Sequence, residues 1–532
     1  MTVDAAAFAS QGWRFVRASR AMARRQVTAE EATTYVSAAS QGRSGRFLRN
    51  LDALVWPHPT SPARRLLEWA GLDRRAVIDL VESTGLEGAL EQLRDGGVHV
   101  SYEESLGQVP ARRGSATFDF RPEDFSNPCV RADYLTATSG SRSGGTPARS
   151  NFAYMRRNAI GVAVELATWG VHGAPSAVWM PAFPGGGLGM VLQLTAAGNP
   201  PDRWFSQIPL DLEGVASRKR AANRILALGG RVLRTWPPPP EFAPMSDPDT
   251  VLGWAEATLA AHRRAYLLAY TSSAARLGLV AADRRVSLDG LVILVVGEPF
   301  TPAKIAAVGA SGASVIDGYG FVPEAVVACT CPESGDLIHL WDHELALITR
   351  DRQRLDGETV KALCWTSLAE DAPRVLLNVE NDDYGVVSRD ETPCSCLMGR
   401  LGMRTRIAGI RGMSKVVAAG INVPGEVFVR LAEVALPSRF GGGPTDFQFV
   451  EEECDGSTAV VLRIDPRLGD VDADAALRAV QEALRESEAG LVAEGVWGAS
   501  LRVARAAPRP TRGGKVLAYE PLPGRLTTIP PG

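Results

Sequence analysis

The stretch Leu291-Val-Ile-Leu-Val-Val-Gly-Glu-Pro-Phe-Thr-Pro302 begins with six apolar residues and ends in a turn rich in glycine and proline. An apolar run of this length, closed by such a turn, is typical of a strand buried on both faces. Ser176–Phe183 repeats the pattern. Between the two runs, Val251–Tyr270 has the spacing of a helix. Strands that alternate with helices predict a sheet covered by helices on both faces, which is an α/β fold.

The sequence changes character on both sides of this region. Residues 11–100 are mostly helical in pattern, so a helical lead-in of about 120 residues is predicted. Beyond residue 408, three strand patterns accompany one amphipathic helix: Val416–Val417, Val460–Ile464, Leu501–Val503 and Ala473–Glu488. The chain of 532 residues is too long for one core. We therefore predict a large, multi-sheet N-terminal domain over residues 1–410 and a small, mobile α+β C-terminal domain over residues 411–532.

Composition narrows the class of protein. A formal net charge of −3 gives no electrostatic reason to expect nucleic acid or an anionic membrane as partner. No apolar run approaches the roughly 18 residues of a spanning helix, and the start Met1-Thr-Val-Asp-Ala lacks the layout of a signal peptide. The seven cysteines are odd in number, and four of them form Cys-x-Cys pairs, which are too close for ordinary disulfides. We expect a cytoplasmic protein.

A second informative stretch is Thr138-Ser-Gly-Ser-Arg-Ser-Gly-Gly-Thr-Pro-Ala-Arg149. Glycines let the backbone turn its N–H groups inward, and small hydroxyls add donors, so this loop can wrap phosphate oxygens. It is not a Walker A motif, because no Gly-Lys-Ser/Thr follows. A flexible surface loop is the alternative. The candidate phosphate ligands are Thr138, Ser139, Gly140, Ser141, Ser143, Gly144 and Gly145.

Two turns about 20 residues apart predict a slot for a purine. The first is Gly297-Glu298-Pro299, at the end of the apolar run, and the second is Asp317-Gly318-Tyr319-Gly320. A tyrosine between glycines can stack on a base, since stacking needs only a flat ring at the right height. A core strand followed by a tight turn would leave the same pattern.

A lone lysine completes the set, in Pro510-Thr-Arg-Gly-Gly-Lys515 near the C-terminus. The phosphate loop, the two turns and this lysine, in this order, resemble the adenylate-forming superfamily, which makes acyl-AMP from ATP and a carboxylate. The resemblance covers roughly residues 130–520. It implies that Tyr319 stacks on adenine and that Lys515 is catalytic, bridging the α-phosphate and the attacking carboxylate. A solvated lysine is the alternative reading of the last motif.

The same resemblance assigns two acids. Asn378-Val-Glu-Asn-Asp-Asp-Tyr-Gly385 is similar to the segment whose aspartate holds both ribose hydroxyls, which places Asp383 in that role. The family's Tyr-Gly-x-Thr-Glu motif, whose glutamate binds Mg²⁺, corresponds here to Tyr319-Gly-Phe-Val-Pro-Glu324. Glu324 therefore stands one place late, and Val322 replaces the threonine.

Four residues are candidate ligands of a zinc ion: Cys331, His339, Cys394 and Cys396. Three thiolates and one imidazole are a common ligand set of structural Zn²⁺. The spacing between Cys331 and His339 fits a β-hairpin that brings both to one side. Buried free cysteines beside a hydrogen-bonded histidine are the alternative.

The segment Pro393-Cys-Ser-Cys-Leu-Met-Gly-Arg400 is followed by Arg406-Ile-Ala-Gly-Ile-Arg411 and Gly420-Ile-Asn-Val-Pro424. These segments are similar to the phenylacetate–CoA ligase branch, some members of which bind zinc through such cysteines. Arg400 and Arg406 are assigned to the nucleotide on this resemblance. Met413 and Ser414 stand where that branch has paired aspartates in its hinge.

The function predicted from these motifs is that of an AMP-forming acid ligase. It would use ATP and Mg²⁺ to activate an aryl or acyl acid, bound under the segment 181–189, and pass it to a thiol such as CoA. A carrier-protein thiol or an amine is an alternative acceptor, and nitrite, for diazotisation, an alternative acid, as in secondary metabolism. A non-catalytic nucleotide-binding module is the rival from another class. A homodimer is compatible with all of these.

Overall fold

A computed structural model describes the chain apart from residues 1–19, 22, 132, 138–146, 183–185, 212–219, 225–226, 229–236, 298–299, 301, 322–324, 334, 336, 354–358, 414, 419–420, 444–445, 455–456, 486–499, 510–517 and 521–532. The described strands form one sheet of 12 strands, one of 4 and three of 2. Residues 20–413 are called the large unit below, and residues 415–520 the C-terminal unit.

The strands of the large unit are β1 (Ala111–Arg113), β2 (Ala116–Phe118), β3 (Tyr134–Ala137), β4 (Pro147–Ser150), β5 (Ser176–Trp179), β6 (Arg203–Ser206), β7 (Pro240–Phe242), β8 (Ala265–Tyr270), β9 (Leu291–Val296), β10 (Ser314–Phe321), β11 (Ala325–Thr330), β12 (Ile338–Leu340), β13 (Leu345–Gln353), β14 (Thr359–Ser367), β15 (Val379–Arg389) and β16 (Thr405–Gly412). Its helices are α1 (Ala29–Gln41), α2 (Arg43–Asn50), α3 (Pro62–Trp69), α4 (Arg74–Asp95), α5 (Tyr102–Ser105), α6 (Phe152–Thr168), α7 (Gly187–Ala196), α8 (Asp249–His262), α9 (Thr271–Asp283), α10 (Pro302–Gly309) and α11 (Leu397–Arg400).

The twelve-stranded sheet has the order β13-β14-β15-β16-β12-β11-β10-β9-β8-β5-β6-β7. From β7 to β9 its neighbours run parallel, whereas β11 to β16 pair antiparallel. The strand β10 joins the two halves, because Ser314–Asp317 pairs parallel with β9 and Gly318–Phe321 pairs antiparallel with β11. The predicted α/β fold is confirmed, with helices of the large unit packed on this mixed sheet.

Helices α1 to α5 lie in the described part of the predicted lead-in. Helix α1 begins with a capping box, in which Thr28 and Glu31 bond each other's backbone N–H groups. Apolar residues of α2 to α4, such as Phe47 and Leu90, share a buried cluster with Trp365 and other residues of β13 to β15. The lead-in therefore covers the antiparallel half of the sheet.

One prediction about the parallel half of the sheet was wrong. The helix predicted over Val251–Tyr270 ends at His262, and Ala265–Tyr270 instead forms β8, between β5 and β9. The helix is stopped at Arg263, whose φ of 63° lies in the left-handed region. All six residues of β8 are buried, so tertiary pairing outweighs the helical spacing.

The C-terminal unit contains β17 (Lys415–Ala418), β18 (Ile421–Pro424), β19 (Phe447–Cys454), β20 (Ser457–Ile464), β21 (Leu501–Arg505) and β22 (Tyr519–Glu520), with helices α12 (Gly425–Arg430), α13 (Leu436–Phe440) and α14 (Ala473–Leu484). Its four-stranded sheet has the order β21-β20-β19-β22. Helix α14 buries Ala476, Val480 and Leu484 in the same cluster as Val460 and Leu462 of β20. The predicted α+β character is confirmed. Among the described residues, no helix is both long enough and apolar enough to cross a membrane.

Candidate active site and metal centre

The carboxyl edge of the parallel strands brings two of the predicted turns together. Strand β9 is buried along its whole length, and the chain turns sharply at Gly297, whose φ of 86° favours glycine. In the next strand, Asp317 pairs with Val295 of β9. A Cβ on Gly318 would lie 2.6 Å from Leu294 Cδ1, so glycine is needed for this close approach. Glu298 and Pro299 lie outside the described residues.

Tyr319 and Asp383, predicted to hold adenine and ribose, are in direct contact. The Tyr319 hydroxyl donates to Asp383 Oδ2 at 2.7 Å. Asn381 Nδ2 donates to the same hydroxyl at 2.7 Å and to Asp383 Oδ2 at 3.1 Å. Burial, followed by the charge of Asp383, raises the pKa of Tyr319 well above its ordinary value, so its hydroxyl stays a neutral donor. The three side chains form one polar group at the point where the sheet changes from parallel to antiparallel.

The ring of Tyr319 is held from behind by aromatic side chains. It stacks on Trp365 with the ring centroids 5.9 Å apart and an angle of 18°, and Trp365 is fully buried. Phe321 packs on the same indole with centroids 4.8 Å apart. Tyr319 itself is half-buried. A rigid, partly exposed ring beside a carboxylate suits a planar base attached to a ribose.

Sequence reasoning missed Arg411, which borders this group. On β16, Arg411 pairs with Tyr384 of β15, and the next residue, Gly412, pairs with Asp383. Its Nη1 donates to the Ile410 carbonyl at 2.7 Å, and its buried Nε has no hydrogen-bond partner among the described residues. Burial lowers the pKa of Arg411, while Tyr384 and Asp317 raise it. Arg411 is the last residue of the motif Arg406–Arg411, so the resemblance that assigned Arg406 could also have drawn attention to Arg411.

The predicted phosphate loop is flanked by two strands that pair with each other, and a helix follows the second strand. Strands β3 and β4 pair antiparallel on either side of residues 138–146, and α6 begins two residues after β4. Asn151 caps α6 by accepting from the Tyr154 N–H at 2.7 Å. The loop residues themselves, from Thr138 to Gly145, lie outside the described residues, as do Glu324 and Lys515.

The four predicted metal ligands meet on the antiparallel half of the sheet. Their ligand atoms all lie within 4.8 Å of one another: Cys331, His339, Cys394 and Cys396. Cys331 Sγ is 3.8 Å from Cys394 Sγ, and Cys396 Sγ is 3.3 Å from His339 Nε2. The register of β11 and β12 explains part of the convergence, since His339 pairs with Cys329, two residues before Cys331.

Surrounding contacts orient these ligands. His339 Nδ1 lies 2.8 Å from the Met403 carbonyl, which can only accept, so Nδ1 carries the proton and Nε2 presents its lone pair to Cys396. The Gly399 N–H donates to Cys396 Sγ at 3.2 Å. A Cβ on Gly399 would lie 2.3 Å from the Cys394 carbonyl, so the Cys-x-Cys-x-x-Gly turn needs this glycine. The donor set and its surroundings fit a tetrahedral zinc ion.

Arg400 and Arg406, assigned to the nucleotide from the sequence, have their described contacts around this cluster. Arg406 is buried on β16, opposite His339, and its Nε donates to Asp390 Oδ2 at 2.7 Å. Arg400 ends α11 and donates to the carbonyl of Ser395, between two of the cysteines. These contacts suit residues that hold the cysteine turn in place.

With this geometry established, comparison with known proteins adds the fold relationship. No protein-family model and no curated protein sequence matches the chain. Among solved structures, 2-hydroxyisobutyryl-CoA ligase in complex with 2-HIB-AMP and CoA matches with a TM-score of 0.53 and 17% identity, over 91% of this chain and 90% of that chain. The chain has the fold of an adenylate-forming CoA ligase.

Two further solved structures match with lower scores. A malonyl-CoA ligase with methylmalonyl-CoA and AMP bound has 14% identity and a TM-score of 0.39, over 71% of this chain and 72% of that chain. The o-succinylbenzoate CoA synthetase of Bacillus subtilis has 12% identity and a TM-score of 0.41, over 76% and 72%.

Proposed function

We propose that this protein is an ATP-dependent, adenylate-forming acid ligase. The observation that carries the proposal is the contact between Tyr319, Asn381 and Asp383 at the carboxyl edge of the sheet. Ligands of open α/β sheets bind at the carboxyl ends of strands where the topology changes. The fold shared with an AMP-forming CoA ligase supports the same assignment.

In the first half-reaction, the adenylation of the acid by ATP, each of the proposed site residues has a separate role. Tyr319 stacks on adenine, Asp383 accepts from the ribose hydroxyls, and the loop after β3 wraps the phosphates. Lys515 stabilises the charge that develops as the carboxylate attacks the α-phosphate and pyrophosphate leaves. Mg²⁺ is assigned to Glu324 by the sequence resemblance alone. The acid lies near α7, beside the segment 181–189, where glycines permit close approach.

In the second half-reaction the acyl-AMP is passed to an acceptor, for which CoA is the leading candidate. The cysteine and arginine motifs of residues 393–424 support a protein similar to phenylacetate–CoA ligases. Residues 1–410 would hold the nucleotide, and residues 411–532 would form a lid that alternates between the half-reactions. Met413 and Ser414 stand in place of the paired hinge aspartates. Because of this difference, an amine or a carrier-protein thiol is kept as an alternative acceptor, and nitrite as an alternative acid.

The cysteine–histidine cluster has a separate, structural role in this proposal. Cys331, His339, Cys394 and Cys396 would hold one Zn²⁺, which would cross-link β12 and the segments that follow β11 and precede α11. A closed site of four protein ligands leaves no open position for a substrate. The ion would therefore contribute to folding and not to the ligase reaction.

The decisive experiment is pyrophosphate release from ATP with a panel of aliphatic and aromatic acids and nitrite, each with and without CoA. Pyrophosphate that depends on one acid, together with a thioester when CoA is present, supports the proposal. Pyrophosphate with nitrite alone, or an acyl-AMP that only an amine intercepts, identifies the alternative chemistry. ATP binding without turnover for any acid would favour the non-catalytic nucleotide module.

A further inference from the structure

The side chains of the cysteine–histidine cluster differ in their access to solvent. Cys331 and Cys396 are 3% and 4% exposed, and His339 is fully buried. Cys394 is only partly buried, and it directly follows three exposed residues, 391–393. A small reagent that arrives from solvent therefore meets the sulfur of Cys394 before the other ligand atoms of the cluster.

A second thiol lies beside that sulfur. Cys394 Sγ is 3.8 Å from Cys331 Sγ. A disulfide needs its two sulfurs about 2.0 Å apart, so these atoms must approach each other by roughly 2 Å. Because Cys394 belongs to a turn at the surface, this turn can move toward the buried Cys331 without opening the core.

Cys396, the other cysteine of the turn, is less suited to this reaction. It caps α11 by accepting from the Gly399 N–H at 3.2 Å, and its Sγ lies 3.3 Å from His339 Nε2. A single residue separates it from Cys394, a spacing too short for an ordinary disulfide. The geometry therefore favours Cys394 and Cys331 as the reacting pair.

Glu333, two residues after Cys331, joins the two segments further. Its Oε2 lies 3.7 Å from Cys394 Sγ and accepts from the Ser395 hydroxyl. These contacts do not need a metal ion. They therefore hold the Cys394 turn beside Cys331 when the cluster is empty as well as when it is filled.

We propose that Cys394 and Cys331 are a redox-active pair, which hydrogen peroxide converts into a disulfide with release of the bound metal. The Cys394 sulfur attacks one peroxide oxygen, the O–O bond breaks, and a sulfenic acid and one water result. The Cys331 sulfur then attacks the Cys394 sulfur, the S–O bond breaks, and a second water leaves. The two sulfurs lose two electrons, which reduce the peroxide. The two protons come from the thiols or, where the thiolates bind a metal, from solvent.

Oxidation of this pair would leave only Cys396 and His339 as metal ligands. Two protein ligands are too few for a closed zinc site, so the oxidised cluster would no longer retain the ion. Thiol reductants reverse the reaction, because the product is a disulfide and not a higher oxide of sulfur. The proposal concerns the cysteine–histidine cluster and does not depend on the ligase assignment.

The test uses the full-length, reduced protein and limiting hydrogen peroxide, with two readouts that do not require ligase activity. A zinc-sensitive dye measures the released metal, and mass spectrometry of tryptic peptides identifies the bond after the remaining thiols are alkylated. Trypsin places Cys331 in residues 305–350 and Cys394 in residues 390–400, so the disulfide links these two peptides. One zinc ion is expected to be released for each disulfide formed, and dithiothreitol is expected to separate the peptides again.

Each of these peptides contains a second cysteine, so variants assign the bond. Cys331→Ser and Cys394→Ser are expected to abolish it, whereas Cys329→Ser and Cys396→Ser keep it. The control is Cys129→Ser, since Cys129 is exposed and lies outside the cluster. Fragment spectra of the linked wild-type peptides give the same assignment without any variant.

The order of attack is tested separately by alkylation of the reduced protein with iodoacetamide. Cys394 is expected to react about 10-fold faster than Cys331, because it is the more accessible of the two sulfurs. Equal rates, a bond within residues 390–400, links between chains through Cys129, or sulfinic acid at Cys394 without a disulfide would overturn the inference. If the reduced protein holds no zinc, the proposed structural role of the metal fails, and the peptide map still decides whether the disulfide forms.

Discussion

The cysteine–histidine cluster and the proposed nucleotide cleft, which is bordered by Tyr319, Asn381 and Asp383, lie on the same sheet but are assembled differently. The cluster takes its four ligands from the end of one hairpin strand, its partner and one short turn, and brings their ligand atoms within 4.8 Å. The proposed ATP site combines side chains of β10 and β15 with loops that the sequence resemblance assigns from distant parts of the chain. Strand register and one short turn are enough to bring the four proposed zinc ligands together, whereas the proposed site for ATP and an acid also depends on those loops.

The largest effect on the ligase reaction is expected at Lys515, the predicted catalytic lysine. Lys515→Ala should lower the rate of acid-dependent pyrophosphate formation about 10³-fold, because the lysine acts on charge that develops only in the transition state. ATP affinity should stay nearly unchanged. The measurement is kcat and KM for ATP, with Lys361→Ala as the control. Equal loss of the adenylation and transfer steps, tested with a supplied acyl-AMP, would contradict this role.

The second effect concerns the cluster. Purified protein should contain one zinc ion per chain, and Cys396→Ser should lose it together with about 4 kcal/mol of the free energy of unfolding, as the loss of a cross-link does. Metal analysis and urea unfolding measure both quantities. The control is Cys129→Ser, since Cys129 is exposed and lies outside the cluster. Full stability after removal of the metal would show that hydrogen bonds alone hold the turn.

Sequence alone predicted the cluster better than the cleft, for a physical reason. Cys331 and Cys394 are 63 residues apart, but two Cys-x-Cys pairs and a histidine eight residues after one of them are a recognisable ligand set for zinc. Tyr319 and Asp383 are 64 residues apart, and only the resemblance to a family linked them before their hydrogen bond was seen. Spacing carries no information about such tertiary contacts.

The same limit explains what was missed. Ala265–Tyr270 continues an apolar pattern with helical spacing, and the left-handed turn at Arg263 that ends the helix has no mark in the sequence. Lys304 looks like any lysine of an amphipathic helix, yet the C-terminal unit buries it completely. Elements with a strong period and a clear end, such as β9, were predicted correctly, whereas the contact of Lys304 with Thr458 was not.

A third prediction concerns Glu165 of α6, which is fully buried. The Tyr266 hydroxyl of β8 donates to Glu165 Oε1 at 3.0 Å, and Cys329 of β11 is a second neighbour. Burial raises the pKa of Glu165 from 4.5 to about 8, an effect that these hydrogen bonds oppose. The folded state then holds the proton more tightly than the unfolded state. This contribution to stability is complete below pH 4.5 and is lost as the pH rises through 8.

Glu165→Gln should remove this pH dependence. Between pH 5 and pH 8 the wild type should lose about 3 to 4 kcal/mol of unfolding free energy more than Glu165→Gln does. Urea unfolding at several pH values measures the difference, and Glu256→Gln, at an exposed position of α8, is the control. Parallel pH curves for wild type and Glu165→Gln would mean that the carboxyl is ionised in the folded protein.

The smallest effect is expected at Tyr319, where two variants distinguish the contribution of the ring to ATP binding from that of the hydroxyl. Tyr319→Ala should weaken ATP binding about 10-fold, within the usual range for loss of one base-stacking contact. Tyr319→Phe keeps the ring on Trp365 and loses the hydroxyl's two hydrogen bonds, to Asp383 and from Asn381. Asn381 still holds Asp383 at 3.1 Å, so a change below about 3-fold is expected. Calorimetry with ATP measures both, with Phe242→Ala, a half-exposed ring on β7, as control. If Tyr319→Phe were as damaging as Tyr319→Ala, the hydroxyl and not the ring would carry the contact, and adenine would have to bind elsewhere in the cleft.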